Sequence, residues 1–230
     1  MRGRVPLLMV AVAAGSVIPG GVGCGQNAAS ESQRHPAEVA LPAPQTEGEV
    51  SVEEALARRR SVRRFGSRDL TPEQISQLAW AAQGITEPTR GLRTAPSAGA
   101  TYPLELYLVK GDGVYHYVPQ GHKLRQLSGE DKRADLAAAA LGQAWVRQAA
   151  VNFVIAAVYQ RTSTRYGERA ERYVHMEAGH VAQNLHLEAV ALGLGSVPIG
   201  AFRDQSVSKV LELPSEQAPI YIIPVGHPAG

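Results

Sequence analysis

Val151–Tyr159 limits the architecture of this chain more than any other segment. The run Val-Asn-Phe-Val-Ile-Ala-Ala-Val-Tyr is apolar almost throughout, without the alternation of a strand that has one wet face. Such a strand is stable only when both its faces are covered, so helices have to lie above and below the sheet that contains it. Arg169–Leu194, the longest helical candidate, supplies one cover. Val174, Ala178, Val181, Ala182, Leu185 and Leu192 fall at helical spacing, and Gly193 and Gly195 end the run.

The remaining elements fit around that strand. Ser51-Val52-Glu53-Glu54 opens a helix ending near Arg60, and Thr71-Pro72-Glu73-Gln74 opens another, each with the spacing of a capping box. In the second, Pro72 takes the first helical position, and Ile75, Leu78, Ala79 and Ala82 follow at helical spacing until Gly84 stops it. Leu104–Val109 and Val114–Val118 are predicted strands joined by Gly111-Asp112-Gly113, a hairpin signal. Ala134–Gly142 and Gln205–Leu211 read as helices, and Ile220–Val225 as a last strand. This order predicts an α+β or mixed α/β sandwich with helices on both sides of a small central sheet.

A chain of 230 residues, 44% apolar and 19% charged, suffices for one soluble domain with extensions. The net charge of +2 is too small to indicate nucleic acid, and the basic residues gather near Arg58–Arg68 instead of along a face. Cys24 is the one cysteine, which excludes an intrachain disulfide and a cysteine-based zinc site. Met1–Arg4 resembles the basic start of a targeting segment and Val5–Ile18 its apolar centre. Gly21-Val22-Gly23-Cys24 resembles a bacterial lipoprotein box, with Gly21 where Leu is usual. Residues 1–24 are therefore expected to be an export segment, leaving the protein lipid-anchored through Cys24 in the periplasm or cell envelope. Plain secretion and a retained cytosolic segment are the alternatives. Residues 25–49, rich in Ala, Pro, Gln, Glu and Ser, are expected to be a flexible linker, and residues 50–230 the folded domain.

Three segments carry chemistry. Arg59-Arg60-Ser61-Val62-Arg63-Arg64-Phe65 packs guanidinium groups around a hydroxyl, and arginine's planar fork suits phosphate oxygens. Arg59, Ser61 and Arg63 share one side if the run is extended; a solvated basic turn is the alternative reading. Pro96-Ser97-Ala98-Gly99 lies in a loop of small residues leading into a strand, and Pro198-Ile199-Gly200-Ala201 in a similar loop after the longest helix. Small side chains let backbone approach a flat ligand closely, although each segment also suits an ordinary connector. The glycines after the long helix do not form a dinucleotide fingerprint.

In their order, these segments resemble the nitroreductase-like flavoproteins, and more narrowly the SagB-type (thiazole- and oxazole-forming oxidase-like) dehydrogenases. Trp80–Ile85, Arg93–Gly99, Tyr102–Glu105, Val114–Tyr117 and Glu177–Asn184 carry the likeness further. The resemblance implies a nitroreductase fold, a central mixed or antiparallel sheet flanked by helices, and non-covalent FMN at the interface of a homodimer. It places Arg59 and Ser61 on the phosphate, with Arg60 beside them, and Arg63 on the phosphate or the flavin pyrimidine edge. Pro96, Ser97, Ala98 and Gly99 would line one face and edge of the flavin, and Pro198, Ile199, Gly200 and Ala201 would lie near its N5. It implies an oxidoreductase moving a hydride or electron pair through that atom to or from a small organic substrate, with NAD(P)H as a candidate partner. An azoline-peptide dehydrogenase, acting on a peptide, and a non-catalytic flavin-binding module are the alternatives.

The chain departs from the family pattern at several places. Ala100 stands where many relatives have Asn, and His227 is the only candidate for a late phosphate-binding cation. Where peptide-azoline oxidases carry a catalytic Lys-Tyr pair, this chain has Arg165-Tyr166. Arginine stays protonated and cannot act as an ordinary base, so the expectation is Tyr166 as an acid assisted by Arg165, with a surface ion-pair turn as the alternative. His175, Glu177, His180 and His186 do not match His-Glu-x-x-His. They are expected to be packed or hydrogen-bonded core residues, with no metal.

Overall fold

A computed structural model describes residues 37–230. The export segment, Cys24 and residues 25–36 of the expected linker lie outside the described residues. In chain order the elements begin with β1 (Glu38–Ala40), α1 (Val52–Arg58), α2 (Pro72–Gln83), β2 (Ile85–Glu87), β3 (Leu92–Arg93), β4 (Leu104–Lys110), β5 (Gly113–Val118) and β6 (Lys123–Ser128). They continue with α3 (Arg133–Ala139), α4 (Ala144–Gln148), β7 (Val151–Ala157), α5 (Tyr159–Tyr166), α6 (Ala170–Ala191), β8 (Gly195–Ser196), α7 (Asp204–Val210) and β9 (Ala218–Gly226).

Seven strands form one sheet in the order β1-β6-β5-β4-β7-β9-β8. Every neighbouring pair is antiparallel, so of the two arrangements expected the antiparallel one is found. β7 lies between β4 and β9, and each of its residues is buried. Val151, Phe153, Ile155 and Ala157 pack with Leu104, Leu106 and Leu108 of β4 under α2 and α6. Val154 and Ala156 point the other way, into a second core with Leu136, Val146 and Val207 from α3, α4 and α7. The uninterrupted apolar run thus does what its composition requires, feeding two cores at once. Asn152 is the one polar member; its side-chain amide donates to the Val146 carbonyl at 2.9 Å, tying β7 to α4.

The long helix carries its buried stripe as read: Val174, Ala178, Val181, Ala182 and Leu185 are buried, and Leu192 half-buried. Thr71 and Gln74 form the full reciprocal cap of α2. At α1 only half of the expected cap forms, because the Ser51 hydroxyl accepts from Glu54 N–H while the Glu54 carboxylate pairs with Arg58 at 2.9 Å. The helix expected over 134–142 ends at Ala139, where Leu141 and Gly142 take left-handed conformations (φ 60° and 76°) and turn the chain into α4.

The domain also reaches further back than residue 50. Within the stretch read as linker, β1 pairs with β6, placing Val39 opposite Leu124, and Lys123 holds Glu38 at 2.7 Å. The buried Ser76 hydroxyl donates to the Pro42 carbonyl at 2.5 Å. An exposed edge strand held by backbone pairing and by ion pairs from Glu38 to Lys123 and Arg125 needs no apolar period, so composition gave no sign of it.

The hairpin turn between β4 and β5 ends at Gly113, which also lies against the end of β6. It has φ 147°, and a Cβ there would stand 2.2 Å from the Ser128 carbonyl oxygen. Gly113→Ala must therefore push β5 and β6 apart. A cost of about 2 kcal/mol or more is expected, read as a melting temperature lowered by roughly 4–8 °C for a domain of this size. An unchanged melting temperature would refute this account of the turn.

Candidate functional site

The arginine run leaves the end of α1 and lies along the sheet edge. Ser61 forms a parallel bridge with Ser196, and Val62 N–H donates to the Ser196 carbonyl at 3.0 Å. Gly195 has no room for a side chain, since a Cβ there would meet Val62 at 2.7 Å. This pairing makes the run extended. Ser61 and Arg63 are exposed, and the Arg63 guanidinium sits 5.7 Å from the centre of the Trp145 ring. Arg60 turns back to donate to the carbonyls of Ala57 (3.1 Å) and Arg59 (2.7 Å), so its charge caps the helix end.

Arg59 is held from beneath. Its Nη1 donates to His186 Nε2 at 3.1 Å, and His186 Nδ1 lies 2.5 Å from the Ser196 hydroxyl. A guanidinium has no acceptor, so Nε2 must be the unprotonated nitrogen and Nδ1–H the donor to Ser196. Burial, with Arg59 next to it, pulls the His186 pKa down to about 4 and keeps the ring neutral. The loop that follows, Pro198–Ala201, is anchored by the Ile199–Ile222 bridge and by Gln143, whose amide donates to the Ala201 carbonyl at 2.9 Å. Gly200 and Ala201 are exposed. Arg59, Ser61, Arg63 and the 198–201 loop are therefore brought to one edge of the sheet.

The other predicted segments meet elsewhere. Arg165 Nη1 donates to the Gly99 carbonyl at 3.2 Å, and a Cβ on Gly99 would stand 2.6 Å from the Tyr166 hydroxyl. Arg165 and Tyr166 close the last turn of α5, so the ion-pair turn weighed from sequence is instead a helix end placed against the 96–99 loop. Gly99, Ala100 and Tyr102 are all left-handed (φ 59°, 54° and 43°). Asn adopts this conformation more easily than other side-chain-bearing residues, so Ala100 carries a backbone strain that Asn would ease. The Ser97 hydroxyl accepts from Tyr102 N–H at 2.9 Å, on the side facing Glu177 of α6.

Glu177 is 2% exposed, and its Oε1 has no hydrogen-bond partner among the described residues. Burial raises its pKa to about 7, against the opposing pull of Ser97 and Arg93. Arg93 itself donates to Gln83 at 2.7 Å and stacks on Tyr102 with its guanidinium carbon 4.5 Å from the ring centre. Neither Glu177 nor His186 was picked out from sequence for these contacts; both sit on the buried stripe of α6. The expectation of core histidines fails for His175 and His180, which are exposed because they fall off that stripe. His227 is not the late cation either. Arg68 donates to its Nδ1 at 2.5 Å, and burial together with Arg68 lowers its pKa.

Glu177 and His186 are nine residues apart, which on a helix is a rise of about 13 Å and about two and a half turns, so they lie on opposite margins of the buried stripe. The two groups of residues thus stand at different levels of α6 and at those opposite margins. No hydrogen bond, ion pair or ring contact joins them among the described residues.

The model of the nitroreductase family matches residues 56–227. A Methanocaldococcus jannaschii protein whose nitroreductase name is itself provisional is 44% identical over 78% of this chain and 92% of its own length. The "FMN reductase (NADPH)" of Bacillus subtilis is 25% identical over 76% of this chain, which spans 65% of that protein. The Escherichia coli "Microcin B17-processing protein McbC" is 27% identical over 63% of this chain and 57% of its own. Among solved structures, a Ralstonia eutropha protein also provisionally named a nitroreductase superposes with a TM-score of 0.76, at 27% identity, over 85% of this chain and 94% of that one.

The raised pKa of Glu177 has a defined consequence for stability. The folded protein holds a proton that the unfolded chain has lost, so this contribution is present below the ordinary carboxyl pKa and fades as pH rises to about 7. Glu177→Gln removes the titration. Its melting temperature relative to the parent is expected to climb between pH 4.5 and 7.5 and then level off. A difference that does not vary with pH would contradict the assignment.

Proposed function

The chain belongs to the nitroreductase family, and on that basis we propose that it is an FMN-dependent oxidoreductase whose cofactor phosphate is held by Arg59, Ser61 and Arg63. That it is a flavoprotein oxidoreductase follows from the family and from relatives named as flavin reductases. The choice of FMN rests chiefly on one observation, the extended Arg59–Arg63 run fixed to Ser196. Pairing to β8 presents the Ser61 hydroxyl and the Arg63 guanidinium outward from one sheet edge, beside a half-buried Arg59 whose geometry is already set. That donor set suits a phosphate monoester. It leaves the exposed backbone of Gly200 and Ala201 next along the edge for the ring system.

Bound FMN would supply two-electron chemistry at N5. The protein's part is to place the ring, to meet negative charge on its pyrimidine edge with a fixed cation such as Arg63, and to shape access. A homodimer is part of the proposal. The 96–99 loop with Arg165 and Tyr166 stands across α6 from the phosphate-side group, and the 96–99 loop of a second copy would complete the site. NAD(P)H is the proposed electron donor for a small organic acceptor, in line with the names of the flavin-reductase relatives.

A second reading, an azoline-peptide dehydrogenase, has one observation in its favour. Arg165 and Tyr166 do stand against the cofactor loop, where a phenol can exchange a proton with a ligand and Arg165 can stabilise its anion. In that reading Tyr166, as its anion beside Arg165, would take the proton lost as an azoline becomes an azole, and bound FMN would supply the two-electron acceptor. The relative McbC is named for microcin processing. Tyr166→Phe separates the readings: an NAD(P)H-dependent reductase is expected to keep its activity within about threefold, and an azoline oxidation to lose at least about a hundredfold, the scale of a lost acid–base group.

The spectrum of the purified protein tests the central claim. An oxidised-flavin spectrum with about one FMN per subunit, bleached by NAD(P)H and restored by an electron acceptor, is the expected result; colourless protein that takes up no added FMN would refute it. We also propose that residues 1–24 direct export and that Cys24 carries a lipid. Cys24→Ala is then expected to move the protein from the membrane to the soluble fraction, and unchanged fractionation would count against the anchor.

A further inference from the structure

His186 is buried between two parts of the proposed cofactor site and is bonded to both. It accepts from the Arg59 guanidinium at 3.1 Å on one nitrogen and faces the Ser196 hydroxyl at 2.5 Å on the other. It is 3% exposed and Ser196 is 1% exposed. Ser196 in turn carries the backbone bridge that shapes Ser61 and leads directly into the 198–201 loop. We infer that His186 is a positioning residue for phosphate recognition, a neutral bracket that fixes the direction of Arg59 relative to the strand bearing Ser61. The inference rests on the FMN reading above and deepens it.

The chemistry of the ring explains why histidine suits this place. The bracket needs an acceptor toward Arg59 and a donor toward Ser196, set on one rigid side chain. Neutral imidazole offers both at fixed separation. A second cation could not serve, because it would have no lone pair for Arg59 and would repel it. The low pKa of His186 agrees with a ring that stays neutral at ordinary pH. Arg59, at the end of a short helix, would otherwise be free to choose among many rotamers. Holding a long side chain in its binding pose before the ligand arrives removes that ordering cost from association.

His186 acts on Arg59, and Arg59 acts on phosphate, so the effect must depend on whether the ligand has a phosphate. The test compares FMN with riboflavin, which lacks the phosphate, on flavin-stripped full-length protein by quenching of flavin fluorescence. His186→Phe keeps the ring's bulk and removes both polar atoms. It is expected to weaken FMN about tenfold while leaving riboflavin within about twofold. His186→Gln returns an acceptor near the place of Nε2 and is expected to recover most of the FMN affinity.

Equal loss of both flavins in His186→Phe would make His186 a packing residue and overturn the inference, as would FMN affinity that does not change. Should His186→Phe fail to fold, Ser196→Ala frees the ring instead. It is expected to weaken FMN about threefold with riboflavin unchanged, and no selective loss there would also overturn the inference. Arg59→Gln controls for the underlying reading. If that substitution leaves the preference for FMN over riboflavin intact, the phosphate assignment itself fails; if it abolishes the preference while the His186 variants do not, only the bracket fails.

Discussion

Two-sided burial of β7 is the constraint on which the rest of the molecule depends. Each β7 residue is shielded from water, and the strand can be placed only if α2 and α6 cover one face while α3, α4 and α7 cover the other. Full burial of a large apolar side chain is worth about 1.5–3 kcal/mol, and the strand makes that gain on both faces. Because its neighbours β4 and β9 are locked to it residue by residue, the sheet edge beyond β9 is fixed in turn. Arg59, Ser61 and Arg63 stand on that edge.

The long helix α6 links this core to the chemistry. It lies on the sheet through Val174, Ala178, Val181 and Leu185, and the same buried stripe carries Glu177 and His186. One helix therefore places a carboxyl with a pKa raised by burial under the loop of small residues and a neutral imidazole under Arg59. Other buried polar groups, such as Asn152 and Ser76, serve the scaffold, whereas these two reach the candidate site. Burial of polar groups is costly unless they are paired, and the unpartnered Oε1 of Glu177 marks where that cost is still carried.

Most of the scaffold was legible in the sequence because it obeys simple periods. The spacing of Ile75, Leu78, Ala79 and Ala82, the stripe of α6 and the unbroken run of β7 each have one physical solution. β1 and β6 left weaker traces, since pairing through backbone groups puts few demands on side chains. α5 was missed for a related reason: Thr162 is its one buried residue, so it has no apolar face to betray it. In the site, Arg59, Ser61 and the small-residue loops could be found because guanidinium, hydroxyl and glycine carry their chemistry locally. The importance of His186 could not. Its partner Arg59 is 127 positions away, and nothing about a histidine in a helix announces such a contact.

The pairing of the sheet edges has a consequence for how the molecule is made. One edge is closed by β1, and the arginine run borders the other, through the Ser61–Ser196 bridge, Phe65 beside Pro228 and Gly66 N–H to the His227 carbonyl at 2.8 Å. Both segments leave the ribosome early, but the second has no partner until residues 195–228 have been synthesised. Contacts so distant in sequence form late and are costly to close. The chain must therefore lay down most of its two-layered core before it can shape the Arg59–Arg63 run, so the edge proposed to bind cofactor takes its form only after residues 195–228 have emerged.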